Sequence, residues 1–260
     1  MKNLPKTILV AGGAGFIGSN FVRYFLNKHK KVKIVNFDKL TYSGNLDNLK
    51  DIARSRRYKF IKGDIAERNK IFAVFKKFKP DYVINFAAET HVDRSIHAGA
   101  EEFINANIYG VFNLLEAVKE YKAEKFVSVS TDEIYGSLSL GGKNKFTEKT
   151  ALAPKSPYSA TKASGDMLCL AYYSTWKVPV VVTRCSNNYG PYQYPEKLIS
   201  LFITNLLENK KVPVYGKGDQ IREWIYVLDH CRAIDLILKK GKIGEAYNIG
   251  TGERKKNLEV

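Results

Sequence analysis

The chain has 260 residues, 45% hydrophobic and 26% charged, enough for one sizeable core and ordinary for a globular enzyme. No apolar run approaches the roughly 20 residues a membrane helix needs, which argues against a membrane-spanning role. The net charge of +16 could serve nucleic acid or an anionic surface, but the lysines fall in short scattered runs with no nucleic-acid motif among them.

In chain order, strands are predicted at 7–11, 33–37, 59–62, 82–86, 125–130 and 180–184. Helical patterns at 16–28, 67–78, 100–121 and 158–175 alternate with them. That order predicts an α/β fold, a Rossmann-type doubly wound parallel sheet. After Asn187 the texture changes to short segments with Pro191, Pro195, Pro213, Gly216 and Gly218. A last helix near 229–239 and a strand near 246–249 follow. The expected organisation is a dinucleotide-binding domain over 1–186 and a smaller substrate-binding lobe over 187–260. The Gly- and Lys-rich loop 136–154 is expected to be mobile. The stretch 8–17 behind Lys2 and Lys6 imitates a signal-peptide core, yet its glycines suit a phosphate turn and no cleavage site follows.

Gly12, Gly15 and Gly18 stand between the first strand and the first helix. Glycine there lets the backbone turn tightly and brings a pyrophosphate onto helix N-terminal N–H groups. Asp38 ends the second strand at about the 20-residue interval of the dinucleotide fingerprint. A carboxylate at that place accepts from a ribose and repels a 2′-phosphate, so NAD is expected over NADP. Asp64 after the third strand, and Ala87 and Ala88 after the fourth, continue the same ligand edge.

Tyr158 and Lys162 are one helical turn apart, so their side chains share a face. An ammonium beside a phenol is expected to lower its pKa and make it a base. Asp132 and Glu133 end the fifth strand behind Thr131. A plain dehydrogenase has no need of that second acid–base pair, whereas removal of water from a sugar does. Cys169, Cys185 and Cys231 are odd in number and lack a CxxC, against a disulfide framework or a zinc site and in keeping with a reducing cytoplasm. Cys185 reads as buried packing.

With these segments, above all GGAGFIGSN (12–20), STDEIYG (130–136) and SPYSATKAS (156–164), the chain resembles the dTDP-glucose 4,6-dehydratases among the extended short-chain dehydrogenase/reductases. The resemblance runs through NFAAETHVDRSI (85–96), CSNNYGPYQYPEKLI (185–199) and VYGKGDQIREWIYVLDH (214–230) to Val260. It implies NAD as a retained cofactor, held also by Phe16, Ile17, Lys39, Leu40, Thr41 and Ser43. Gly44, Ile65, Tyr158, Lys162 and Asn188 complete that implied set. It implies that Tyr158, with Thr131 and Lys162, deprotonates the sugar 4-hydroxyl during oxidation at C4. Glu133 would then take the C5 proton, Asp132 would protonate the departing 6-hydroxyl, and C6 would finally be reduced.

The resemblance further implies a nucleotide-sugar site at Thr90, Thr131, Asn187, Lys197, Leu198, Tyr215, Arg222 and Asn257, with Arg222 on the diphosphate. It implies a homodimer built on the helices 100–121 and 158–175. Two departures stand out: Ala106 replaces a common threonine, and relatives continue beyond Val260, so the small lobe is expected to be incomplete. A UDP-glucose dehydratase, an epimerase relative and a non-catalytic NAD-binding protein are the alternative readings; the Asp132–Glu133 pair speaks against the epimerase.

Overall fold

The computed structural model describes residues 6–97, 99–137, 145–214 and 216–260. Its strands are β1 (Thr7–Ala11), β2 (Lys33–Asp38), β3 (Tyr58–Lys62), β4 (Tyr82–Asn85) and β5 (Lys125–Thr131). They continue with β6 (Val180–Cys185), β7 (Asn187–Tyr189), β8 (Ile221–Tyr226), β9 (Ala246–Ile249) and β10 (Arg254–Lys256). The helices are α1 (Phe16–Lys28), α2 (Arg68–Phe78), α3 (Val92–His97) and α4 (Glu101–Ile104). Beyond them lie α5 (Val111–Tyr121), α6 (Pro157–Trp176), α7 (Leu198–Leu207) and α8 (Val227–Lys240).

Strands such as VVVTRC, buried along their whole length, can pair only inside a sheet covered on both faces. Such a sheet forms from seven strands in the order β3-β2-β1-β4-β5-β6-β9, every neighbouring pair parallel, with β4, β5 and β6 buried throughout at its centre. On one face Phe21, Phe25 and Ile234 from α1 and α8 pack against Ile8 and Ile84 of the sheet. On the other, Phe75, Leu114 and Cys169 from α2, α5 and α6 pack against Val83 and Phe126. The winding reverses between β1 and β4, which opens a crevice at the strands' carboxyl ends. This is the doubly wound sheet that the alternating pattern predicts.

The differences from expectation are local and have physical causes. The helix expected over 100–121 is one helical run with a π segment, Asn105–Gly110, between α4 and α5. There Asn107 turns its carboxamide onto the backbone of Glu89, at 3.1 and 3.0 Å, and onto Thr161 Oγ1 at 3.0 Å. After residue 187 the chain returns to the main sheet: β9 adds to β6, and Ile234 of α8 shares the core with Phe21 of α1. The remaining small sheet joins β10, β8 and β7. Helix α7 was not expected; none of its residues is buried, and Leu206 and Leu207 are 62% and 80% exposed.

Of the loop 136–154, residues 138–144 lie outside the described residues. Its later part is tied down, with Glu148 Oε1 accepting from Asn248 N–H at 2.9 Å and Ala153 N–H donating to Ile134 O at 2.9 Å. Among the described residues no helix is long and apolar enough to cross a membrane.

Candidate active site

The carboxyl edge of the sheet opens into a cleft of about 1580 Å³. A site for one drug-sized ligand spans roughly 300–1,000 Å³, so the cleft has room for a dinucleotide and a second ligand together.

At its first end lies the glycine turn. Gly12 has φ +75°, and a Cβ there would stand 2.4 Å from Ala87 N. A Cβ on Gly18 would stand 2.2 Å from Gly12 O, so α1 could no longer start so close to β1. At Gly15 the nearest atom to such a Cβ is Gly12 O at 3.5 Å, which leaves that side of the turn open to a ligand. Asp38 braces the turn: Oδ2 accepts from Ala14 N–H and Oδ1 from Leu40 N–H, both at 2.8 Å. Leu40 is held at φ +59°, a left-handed conformation costly for a leucine and typical of a constrained site. Burial pushes the Asp38 carboxyl above its ordinary pKa against the pull of those two bonds. Asp64 Oδ2 lies 2.8 Å from Lys39 Nζ, and its Oδ1 accepts from Ala66 N–H at 2.9 Å. The cradle fits a pyrophosphate, and Asp38 keeps further lone pairs for a ribose.

Mid-cleft, Thr131 closes β5 and caps the short turn Asp132–Tyr135, its Oγ1 accepting from Glu133 N–H at 3.2 Å. Ser156, in a capping box with Ser159, starts α6 with Pro157 in the first turn. That start sets Tyr158 and Lys162 beneath Thr131, and both are buried. The expected electrostatics are corrected here. Burial, Glu133 and Cys185 push the Tyr158 phenol well above its ordinary pKa, with only a hydrogen bond to Thr131 pulling the other way. Lys162 Nζ donates to Val129 O at 2.8 Å, and burial lowers its pKa. Desolvation therefore outweighs the ammonium at this tyrosine.

Burial, then Glu133 and Glu223, raise Asp132 to about 7. Burial also raises Glu133, while Arg222 and Lys197 draw it down. Two adjacent carboxylates in such unlike surroundings can divide the roles of acid and base between them.

Of the expected residues, Gly12, Gly15, Phe16, Ile17, Gly18, Asp38, Lys39, Thr41, Ser43 and Gly44 line this one cleft. So do Asp64, Ile65, Ala87, Ala88, Thr131, Glu133, Tyr158, Lys162 and Asn188. Thr90, Asn187, Lys197, Leu198, Arg222 and Asn257 line its other side, and Ala106 of the π segment lies on its wall. Leu40 and Asp132 do not line it, and Tyr215 lies outside the described residues. Asn188 is fixed from behind, with His230 Nδ1–H donating to its Oδ1 at 2.9 Å. Burial brings His230 down to about 4, so it is neutral.

Sequence reading missed a bridge across the opening. Tyr42 O–H donates to Glu196 Oε1 at 3.0 Å, and His91 Nε2 lies 3.5 Å from Glu196 Oε2. Three loops far apart in the chain supply these groups, and no spacing announces them. Trp224 and Gln220 on the cleft wall were missed for the same reason. All three cysteines are free and buried, and burial pushes the Cys185 thiol up to about 12, as packing requires. Among the described residues no group of three or more His, Cys, Asp or Glu could hold a metal.

The family model described as GDP-mannose 4,6 dehydratase matches residues 9–260. A dTDP-glucose 4,6-dehydratase of Salmonella typhimurium is 50% identical, over 97% of this chain and 74% of its own length. The crystal structure of a dTDP-glucose 4,6-dehydratase from Bacillus anthracis, in complex with NAD, superposes with a TM-score of 0.90 at 55% identity. That match covers 97% of this chain and 78% of the other. One from Streptomyces venezuelae, also with NAD bound, gives a TM-score of 0.92 at 45% identity, with the same coverage. The chain belongs to the dTDP-glucose 4,6-dehydratase family.

Proposed function

We propose that the chain dehydrates dTDP-glucose to the dTDP-linked 4-keto-6-deoxy sugar, with NAD resident in the cleft. The observation that carries this reading is the half-buried Asp132–Glu133 pair at the end of β5, beside the buried Tyr158. Gly12, Gly15 and Gly18 would seat the NAD pyrophosphate, and Asp38 would accept from the adenine ribose. Bound there, NAD would supply the redox chemistry, the transient oxidation at sugar C4 and the final reduction at C6.

The chain's own groups move the protons. Tyr158 accepts the proton of the sugar 4-hydroxyl, steered by Thr131, with Lys162 as the neighbouring charge. Burial alone opposes the phenolate of Tyr158, and a bound cofactor that carries positive charge would favour it. The ketone at C4 then acidifies C5, and Glu133 removes that proton. Asp132, protonated near neutral pH, gives its proton to the 6-hydroxyl as water leaves. Arg222 and Lys197 meet the diphosphate, and Asn187 and Asn257 hold the rest of the nucleotide. On this reading 187–260 supplies much of the substrate side, joined by Thr90, Thr131 and Glu133, while the strand ends of 1–186 and Asn188 serve the cofactor. Three free buried cysteines suit a reducing cytoplasm.

Incubation with NAD and dTDP-glucose is expected to give a 4-keto-6-deoxy product, seen by its absorbance in alkali. Product from UDP-glucose alone would replace the thymine reading with the uracil one. NAD uptake without product from either substrate would leave a binding protein. We also propose a homodimer through α5, α6 and the π segment, where Tyr109, Met167 and Trp176 are 59%, 62% and 54% exposed. Light scattering should give twice the chain mass, and a monomer at micromolar concentration would overturn the assembly.

A further inference from the structure

The bridge across the cleft opening is built by three loops. Tyr42 follows β2, His91 lies between β4 and α3, and Glu196 lies between β7 and α7. Glu196 takes a hydrogen bond from Tyr42 at 3.0 Å on one carboxylate oxygen and has His91 Nε2 3.5 Å from the other. The Tyr42 ring has two further neighbours. Tyr194 meets it edge-on at 5.4 Å between centroids, and the Arg94 guanidinium lies over it at 4.6 Å. Each such contact is weak alone near solvent, but here they converge on one ring.

Both ends of the bridge are anchored. Gly44 N–H donates to Thr41 O at 3.0 Å, closing the turn that carries Tyr42. On the other side Pro191 O accepts from Asn20 Nδ2 at 2.9 Å, and the Arg23 guanidinium lies 4.5 Å over the Tyr192 ring, both partners coming from α1. Gln193 Nε2 donates to Asn188 O at 2.9 Å. Tyr192 is held at φ +69°, a conformation that a bulky residue adopts where its surroundings impose it. The segment 190–197 is thus a strap, fastened to α1 at one end and to Tyr42 at the other.

We propose that this strap is a cofactor latch: the Tyr42–Glu196–His91 bridge bars the path by which NAD enters and leaves, while the nucleotide-sugar exchanges past it. The proposal rests on the reading of NAD as resident. A cofactor that left between the oxidation at C4 and the reduction at C6 would strand an oxidised sugar, so that reaction needs a barrier to release. The bridge stands where such a barrier belongs. Tyr42 is four residues beyond Asp38 and Glu196 eight beyond Asn188, both expected on the cofactor. Arg222 and Asn257, expected on the nucleotide-sugar, stand on β8 and just after β10, elements the bridge does not use.

The test is the release of radiolabelled NAD from the loaded protein, chased with unlabelled NAD, beside the NAD dissociation constant from equilibrium dialysis. Tyr42→Phe removes the hydroxyl and keeps the ring, and Glu196→Ala removes its acceptor. The bridge forms in the chain without cofactor, so breaking it should lower the barrier and leave the affinity alone. Release should quicken about tenfold in each variant, the low end for a hydrogen bond to a charged group, with the dissociation constant unchanged. The double variant should release no faster than either single one, because both remove the same contact. Native release rates in both variants would overturn the latch. So would faster release with a dissociation constant weakened by the same factor, since the groups would then bind the cofactor rather than bar its way. A native chain that takes up no NAD would overturn the resident cofactor as well.

Discussion

A Glu133→Gln variant is expected to lose turnover by about 10²- to 10⁴-fold, the usual weight of a positioned general base, while NAD uptake is unchanged. Glutamine keeps the size and the hydrogen-bonding reach of the side chain but cannot accept the C5 proton. Glu133 lines the cleft, where Arg222 and Lys197 act on its carboxyl. The discriminating measurement is made in deuterated water. The native protein should place solvent deuterium at C5 of the product, and the variant should fail to exchange that position. Wild-type turnover with normal C5 exchange in Glu133→Gln would mean that the base lies elsewhere.

The pH dependence follows from the same pair with its sign fixed. In the proposed roles Glu133 acts ionised, so activity should fall as pH drops through its raised pKa. In those roles Asp132 acts protonated, so activity should also fall as pH climbs past about 7. The two carboxyls are adjacent, and the limbs of such a profile belong to the dyad as a unit.

What could be read along the chain is what local geometry decides. β1, the glycine turn, α1 and Asp38 are legible because the helical and strand periods, the tight turn and the 24 residues from Ala14 to Asp38 are all near in sequence. Tyr158 and Lys162 are legible as a pair because a helix turn puts them on one face. Their electrostatics are not, because desolvation depends on what covers them. Burial won at Tyr158, and the ammonium went to Val129 O. The π segment depends on Asn107 finding Glu89, 18 positions away, and Thr161, 54 away, which no window of sequence contains. Helix α7 was hidden because only Ser200, Thr204 and Asn205 interrupt the apolar run LISLFITNLL, too narrow a polar stripe to announce a period. The small-lobe boundary was blurred by β9, whose partner β6 lies on the other side of the lobe in sequence.

Asp166→Asn is expected to destabilise the fold by about 3–5 kcal/mol, the cost of leaving one member of a buried ion pair alone. Asp166 Oδ2 sits 3.0 Å from Arg184 Nε, and the two residues are 1% and 4% exposed. The guanidinium also donates to Tyr135 O–H at 2.8 Å, and Tyr135 O–H donates to Asn248 Oδ1 at 2.8 Å. This network ties α6, β6 and β9 to the turn that carries Asp132 and Glu133. The loss would be a large fraction of the roughly 5–15 kcal/mol that holds a typical domain. It should be read as a lower denaturation midpoint at unchanged slope. Replacing both partners by apolar residues, Asp166→Leu with Arg184→Met, should recover most of the stability, since no charge is then stranded. It should not recover turnover, because Tyr135 loses the anchor that fixes the catalytic turn. A single Asp166→Asn variant within about 1 kcal/mol of the native protein would show that water reaches Arg184, and that the turn is held by packing of Ile134 and Tyr135 instead.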